Sequence, residues 1–148
     1  MQIEKWDGSI KDKDKILSLM KTVFGENEYS TKDYFNWIYE KNPQGNPIIV
    51  FARDEKNDSI VGIETITPMN LWLNKKLIKS ALSCNSAVHP DYRNKGMFGM
   101  LIDEIQKLAK DEKFRCIYGI PNRNSHHAFV NRGFSEIGRL KIYGKPFK

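Results

Sequence analysis

No apolar run in the 148 residues is long enough to cross a membrane. The N-terminus, Met1-Gln2-Ile3-Glu4-Lys5-Trp6, lacks the apolar core of a secretion signal. Cysteine is scarce: Cys84 and Cys116 stand far apart, without histidines at metal-ligand spacing. A disulfide framework and a structural metal are therefore not expected, and the two are read as buried free thiols of a reducing cytoplasm. There is no repeat, low-complexity tract or linker, so residues 1–148 read as one domain, long enough for a real core. The second half also lacks acid. Up to Ser83, twelve Lys/Arg meet twelve Asp/Glu; from Cys84 onward twelve meet six, and the whole net charge of +6 arises there. Such a local excess suits a small polyanion. The aromatic residues cluster away from it, which argues against single-strand nucleic-acid binding, and no membrane partner is expected.

What is present is concentrated between Asn85 and Ala109. Ser86 to Val88 reads as the end of a strand, and Pro90 ends its ladder by removing a donor. Arg93-Asn94-Lys95-Gly96 places two cations and a permissive backbone position at the mouth of a helix. From Phe98 the apolar residues Leu101, Ile102, Ile105, Leu108 and Ala109 fall on one helical face. A helix start carries unpaired N–H groups and about half a positive charge, so an anion fits there. Spacing alone leaves a plain strand–turn–helix junction open.

The run Val88-His89-Pro90-Asp91-Tyr92-Arg93-Asn94-Lys95-Gly96 resembles the acetyl-CoA-binding motif of the GNAT acyltransferases, in which Arg or Gln is followed by Gly and then Gly or Ala. Arg93 and Gly96 match. Phe98 departs from the small-residue position, with Gly99 one step later. Gly119 to Ser125, followed by Gly133-Phe134, resembles the family's next strand, its following helix and the Gly-Phe that closes it.

The elements read along the chain as follows. Gln2–Trp6 is a strand, Lys11–Phe24 a helix stopped by Gly25, and Thr31–Lys41 a second helix capped by Ser30. Ile48–Arg53 and Ile60–Ile66 are strands, Met69–Leu73 continues past a break at Pro68, and Lys76–Val88 is one long strand. The central helix follows, then a strand at Arg115–Ile120, a helix at Asn124–Arg132 and a last strand at Glu136–Tyr143. With the resemblance, this order implies an α+β fold: a mixed, largely antiparallel sheet flanked by helices, with one central β-α-β crossover. The family pattern ends with a further strand. Five residues follow Tyr143, so that strand is missing from the reading, and a homodimer or a longer C-terminus is expected to cover the edge.

The chemistry implied by the resemblance is transfer of an acetyl group from acetyl-CoA to a primary amine, by direct attack in a ternary complex. Transferred by motif, Ser86, Ala87 and Val88 line the pantetheine arm. Arg93, Asn94, Lys95, Gly96, Met97, Phe98 and Gly99 hold the pyrophosphate. Asn124 meets the coenzyme or caps its helix. No metal is expected. An attacking ammonium must first lose a proton. Glu64, the one acid of an apolar strand, is the first candidate base, since an apolar site raises a carboxyl pKa; its alternative is a place on the wet face of the sheet. Asn85, with Ser83, is expected to hold a water, and His89 to cap the turn. Many family members carry a tyrosine where Phe129 stands, to protonate the leaving thiolate; here His126, Tyr118 or water are the replacements considered. The alternative function is a non-catalytic CoA-binding module. The acceptor region offers Glu26, Glu28, Tyr29, Tyr34, Trp37 and Tyr39, which suits a cationic amine.

Overall fold

The computed structural model describes residues 1–140. Helix α1 (Ile10–Phe24) begins where the Ser9 hydroxyl accepts from the Asp12 N–H, and it ends where Gly25 turns left-handed at φ 83°. Strand β1 is Gln2–Lys5, β2 is Ile48–Asp54 and β3 is Ser59–Pro68. The second helical segment, α2 (Lys32–Phe35), widens directly into a π turn over Asn36–Glu40. Its cap is Thr31, which accepts from the Tyr34 N–H at 3.2 Å; Ser30 belongs to the turn before it.

The expected long strand over 76–88 is two strands. Leu71–Leu73 (β4) and Lys76–Ile78 (β5) form a separate hairpin, while Ser80–Val88 (β6) joins the main sheet. Asn74 and Lys75, at φ 48° and 63°, make the left-handed turn between β4 and β5. Helix α3 (Met97–Asp111), strand β7 (Cys116–Gly119) and helix α4 (Arg123–Val130) complete the described elements. The last strand expected at 136–143 is not formed in its described part. Glu136–Leu140 has no regular structure and Ile137 is 93% exposed, so nothing apolar holds that stretch to the sheet; residues 141–143 lie outside the described residues.

The main sheet runs β1-β2-β3-β6-β7. Its first four strands are antiparallel, and β6 and β7 are parallel across α3. This is the mixed α+β architecture read from the sequence. Ile48 to Ala52 are buried on consecutive positions because both faces of the sheet are covered. One face packs Ile49, Phe51 and Ile63 on Ile16, Leu19 and Met20 of α1 and on Phe35 and Tyr39. The other packs Val50, Val61 and Ile66 on Met97, Leu101 and Ile105 of α3. Each fully buried aliphatic or aromatic side chain here contributes roughly 1.5–3 kcal/mol. Gly62 is what lets α3 close on the sheet: a Cβ there would lie 2.6 Å from Met97 Sδ. That contact pins the first turn of α3 over β3.

The thiols differ from expectation. Cys84 is half-buried, but Cys116 is exposed, because β7 lies at the sheet edge among the described residues.

Candidate active site

Two irregularities define the site. The β6–β7 ladder runs from Ser80–Cys116 to Ser83–Gly119 and stops there. Beyond it β6 continues to Val88, so a fork opens in the sheet among the described residues. At the fork, β6 bulges. Ile63 pairs with Ala87 and Thr65 with Cys84, leaving Asn85 and Ser86 together opposite Glu64. Asn85 takes φ 55° in mid-strand, a left-handed position that costs free energy for a residue with a Cβ.

The bulge sends consecutive side chains to definite faces. Gly62 and Ile66 of β3 meet α3, so Glu64 between them faces α3 too. Its carboxylate is fully buried, which overturns the wet-face alternative. Ser83, at the last rung, donates to Glu64 Oε1 at 2.6 Å, whereas Oε2 has no partner among the described residues. Burial pushes the Glu64 carboxyl up to about 7, against the hydrogen bond from Ser83 that pulls it down.

On the opposite face, the Asn85 amide meets two phenols. Its Nδ2 donates to Tyr39 Oη at 2.9 Å and to Tyr34 Oη at 3.2 Å. Tyr39 Oη lies 3.2 Å from Thr65 Oγ1, and the Thr65 hydroxyl donates to the Cys84 carbonyl. The sequence reading missed this chain of hydroxyls. Tyr34 and Tyr39 are five residues apart, about 140° around a regular α-helix. The π turn, closed by Lys41 N–H on the Asn36 carbonyl at 2.8 Å, brings them round to one amide. Such turns gather at functional sites, but no residue pattern announces one.

The phosphate turn is built as follows. Asn94 and Gly96 adopt φ 60° and 76°. Gly96 is the cap residue of α3 and supplies no side-chain bond to its N-terminal N–H groups. Met97, Phe98 and Gly99 therefore carry the free donors that an anion would take. Arg93 and Lys95 are exposed, yet each also braces the turn: Arg93 Nε donates to the Val88 carbonyl at 3.1 Å and Lys95 Nζ to the Asp91 carbonyl at 2.9 Å. His89 accepts from the Asp91 N–H at 3.3 Å and caps the turn, as expected. The side-chain space at Gly99 is filled by the Arg132 guanidinium, so its value is to α3–α4 packing rather than to open approach.

Along the fork, His89 N–H bonds the Val61 carbonyl, and alternation turns the backbone groups of Ala87 to β3 as well. Those of Val88 face the fork. Helix α4 is capped by Asn122, which accepts from the Asn124 and Ser125 N–H groups; Asn124 is exposed in the first turn and is not the cap. Phe129 is buried between Phe98 and Phe134, at 5.5 and 5.0 Å. His126 lies 3.4 Å from Glu136 on the surface, and Tyr118 donates to the Met69 carbonyl at 3.4 Å. Among the described residues no cluster suits a metal ion. Free helix-terminal donors, two cations and an unpaired strand edge form one continuous track, which fits a diphosphate carrying a long amide-bearing arm.

In the acceptor region, Tyr29 stacks edge-on to Tyr34 at 5.1 Å, and Trp37, 67% exposed, lies 5.9 Å from Tyr34. Glu26 is exposed and pairs with Lys21, while Tyr39 is buried and so drops out of that surface.

No curated protein sequence matches the chain. Solved structures share its fold. A glucosamine-6-phosphate N-acetyltransferase from Arabidopsis thaliana is 14% identical with a TM-score of 0.72, all of both chains being covered. An aminoglycoside 6'-N-acetyltransferase from Acinetobacter haemolyticus is 16% identical with a TM-score of 0.73, again over all of both chains. AAC(6')-Iy, solved with the bisubstrate analogue CoA-S-monomethyl-acetylneamine, is 15% identical with a TM-score of 0.75, covering 99% of this chain and 100% of that one. The family model of the acetyltransferase (GNAT) domain matches residues 8–135. The chain belongs to the GNAT acetyltransferase family, whose acetyl donor is acetyl-CoA.

Proposed function

We propose that the protein is an N-acetyltransferase that moves the acetyl group of acetyl-CoA to a primary amine by direct attack, as one domain over residues 1–148. The observation that carries this reading is the coincidence of three features: the fork past Ser83–Gly119, the bulge at Asn85, and a buried Glu64 with one free oxygen beside it. Acetyl-CoA supplies an activated carbonyl and a thiol leaving group. The chain does the rest. The N–H groups of residues 96–99, with Arg93, Asn94 and Lys95, hold the diphosphate. Ser86 and Val88 line the arm, and Asn124 stands at the coenzyme's far side.

Glu64 acts as the base. Its carboxyl, at about 7, is ionised in a good fraction of molecules at neutral pH, and Oε2 takes the ammonium proton through the fork. Asn85 fixes the bulge and so orients the groups that meet the thioester.

The acceptor enters along Tyr29, Tyr34 and Trp37. Burial pushes the Tyr34 phenol up most, with smaller contributions from nearby Cys84, Tyr29 and Glu28, and an acid beside three exposed or half-exposed rings favours a cationic amine. The amino-sugar substrates named for two of the solved relatives belong to that class. A second copy of the chain would cover the β7 edge, and the two free thiols suit a cytoplasmic setting.

The test is thiol release from acetyl-CoA with a panel of a diamine, an aminosugar and a lysine peptide, beside melting with acetyl-CoA alone. A melting shift together with amine-dependent thiol release is expected. A shift without release with any amine would leave only coenzyme binding.

A further inference from the structure

We propose that Tyr34 donates the proton to the departing thiolate, with Asn85 as its positioning residue. This rests on the N-acetyl transfer reading above. Expulsion of a thiolate into a fork walled by protein needs a proton, and Phe129, buried among rings, has none to give. Tyr118 stands on the paired part of the sheet, opposite Leu82 and before the fork opens. Glu64 lies on the α3 face and is occupied with the amine.

Asn85 carries two phenols, and only one is free to react. Tyr39 is fully buried and its hydroxyl meets Thr65, so that branch is closed. Tyr34 is half-buried. Its oxygen accepts from Asn85 Nδ2 at 3.2 Å, but its own proton has only Asn85 Oδ1, at 3.5 Å. At that distance the bond is weak. Tyr34 thus presents a loosely held O–H at the bulge, beside an N–H placed to stabilise the phenolate left behind. The titratable groups around it are Cys84, Tyr39, Tyr29 and Glu28. Burial keeps the Tyr34 phenol above its ordinary value, so it enters the reaction protonated.

The step balances. As the neutral amine nitrogen bonds the carbonyl carbon, the carbon–sulfur bond breaks, its electron pair takes the Tyr34 proton, and the proton that the new amide nitrogen must still lose passes to water. Tyr34 is then reprotonated from solvent. The two proton transfers run on opposite faces of one opening in the sheet, Glu64 on the α3 side and Tyr34 on the α2 side.

The experiment uses the panel amine that the wild type turns over fastest. Tyr34→Phe is expected to lower kcat about a hundredfold while the acetyl-CoA melting shift stays at the wild-type value. The basic limb of the kcat profile should disappear with it. Incorporation of 3-fluorotyrosine, a more acidic phenol, should move that limb to lower pH. Wild-type kcat in Tyr34→Phe, or a basic limb unmoved by fluorination, would overturn the proposal and leave the acetyltransferase reading standing. Absence of amine-dependent thiol release by the wild type would instead bring down that reading, and the assignment with it.

Discussion

Glu64→Gln is expected to cut kcat/KM by a hundredfold or more and, at the same time, to raise the melting temperature at pH 8. The two effects share one cause. Glu64 is fully buried and burial lifts its carboxyl from 4.5 to about 7. A folded value above the unfolded one means the protonated form is favoured by folding. That stability is fully present below about pH 4.5 and is lost as pH rises through about 7. The interval corresponds to about 3 kcal/mol. Catalysis needs the opposite, ionised form, so wild-type activity rises over the window in which its stability falls. Glutamine keeps the shape and cannot ionise, so the variant should be flat in both respects. Melting scans at pH 5 and pH 8, paired with a pH–rate profile, check it. A wild-type stability that does not decline between those pH values, or a fully active Glu64→Gln, would remove Glu64 from the chemistry.

The second large effect concerns the donor. Replacing Arg93 and Lys95 together by alanine is expected to weaken acetyl-CoA binding roughly a hundredfold, the scale of two charge-assisted contacts after solvent screening. The backbone donors of residues 96–99 remain, so binding should not vanish. Both side chains also brace the turn, through the Val88 and Asp91 carbonyls. The ligand-free melting temperature therefore reports the structural share, about 1 kcal/mol, separately from the ligand-induced shift. At a hundred times Kd the wild-type shift is worth about 2.7 kcal/mol. The double variant at the same concentration should show only a small part of it.

The sequence carried the donor side of this site well and the acceptor side poorly, for physical reasons. Gly96, the cations of the turn and the apolar face of α3 are local signals, and the helix starts where they place it, at Met97. The apolar run around Glu64 marked it as unusual, but whether it faced water depended on α3 closing over Gly62, which is a tertiary fact. Asn85 was noticed as a polar residue on a strand. Its left-handed φ and its two tyrosine partners arise from a bulge and a π turn that meet only in the folded chain. The strand expected at Glu136 is not formed in its described part: Ile137 and Leu140, three residues apart, would fall on opposite faces of a strand, and both are exposed with no partner strand within the described residues. Residue type alone makes Asn124 a candidate cap of α4; Asn122, two residues earlier, is the cap because its backbone is extended and its side chain accepts from the Asn124 and Ser125 N–H groups.

The most direct measurement is a crystal structure of the protein soaked in coenzyme A. The account predicts diphosphate density within hydrogen-bond distance of the N–H groups of Met97, Phe98 and Gly99, with the arm running along β6 toward Asn85. Diphosphate density elsewhere, or the turn closed by Arg93 and Lys95 with no ligand against α3, would contradict it.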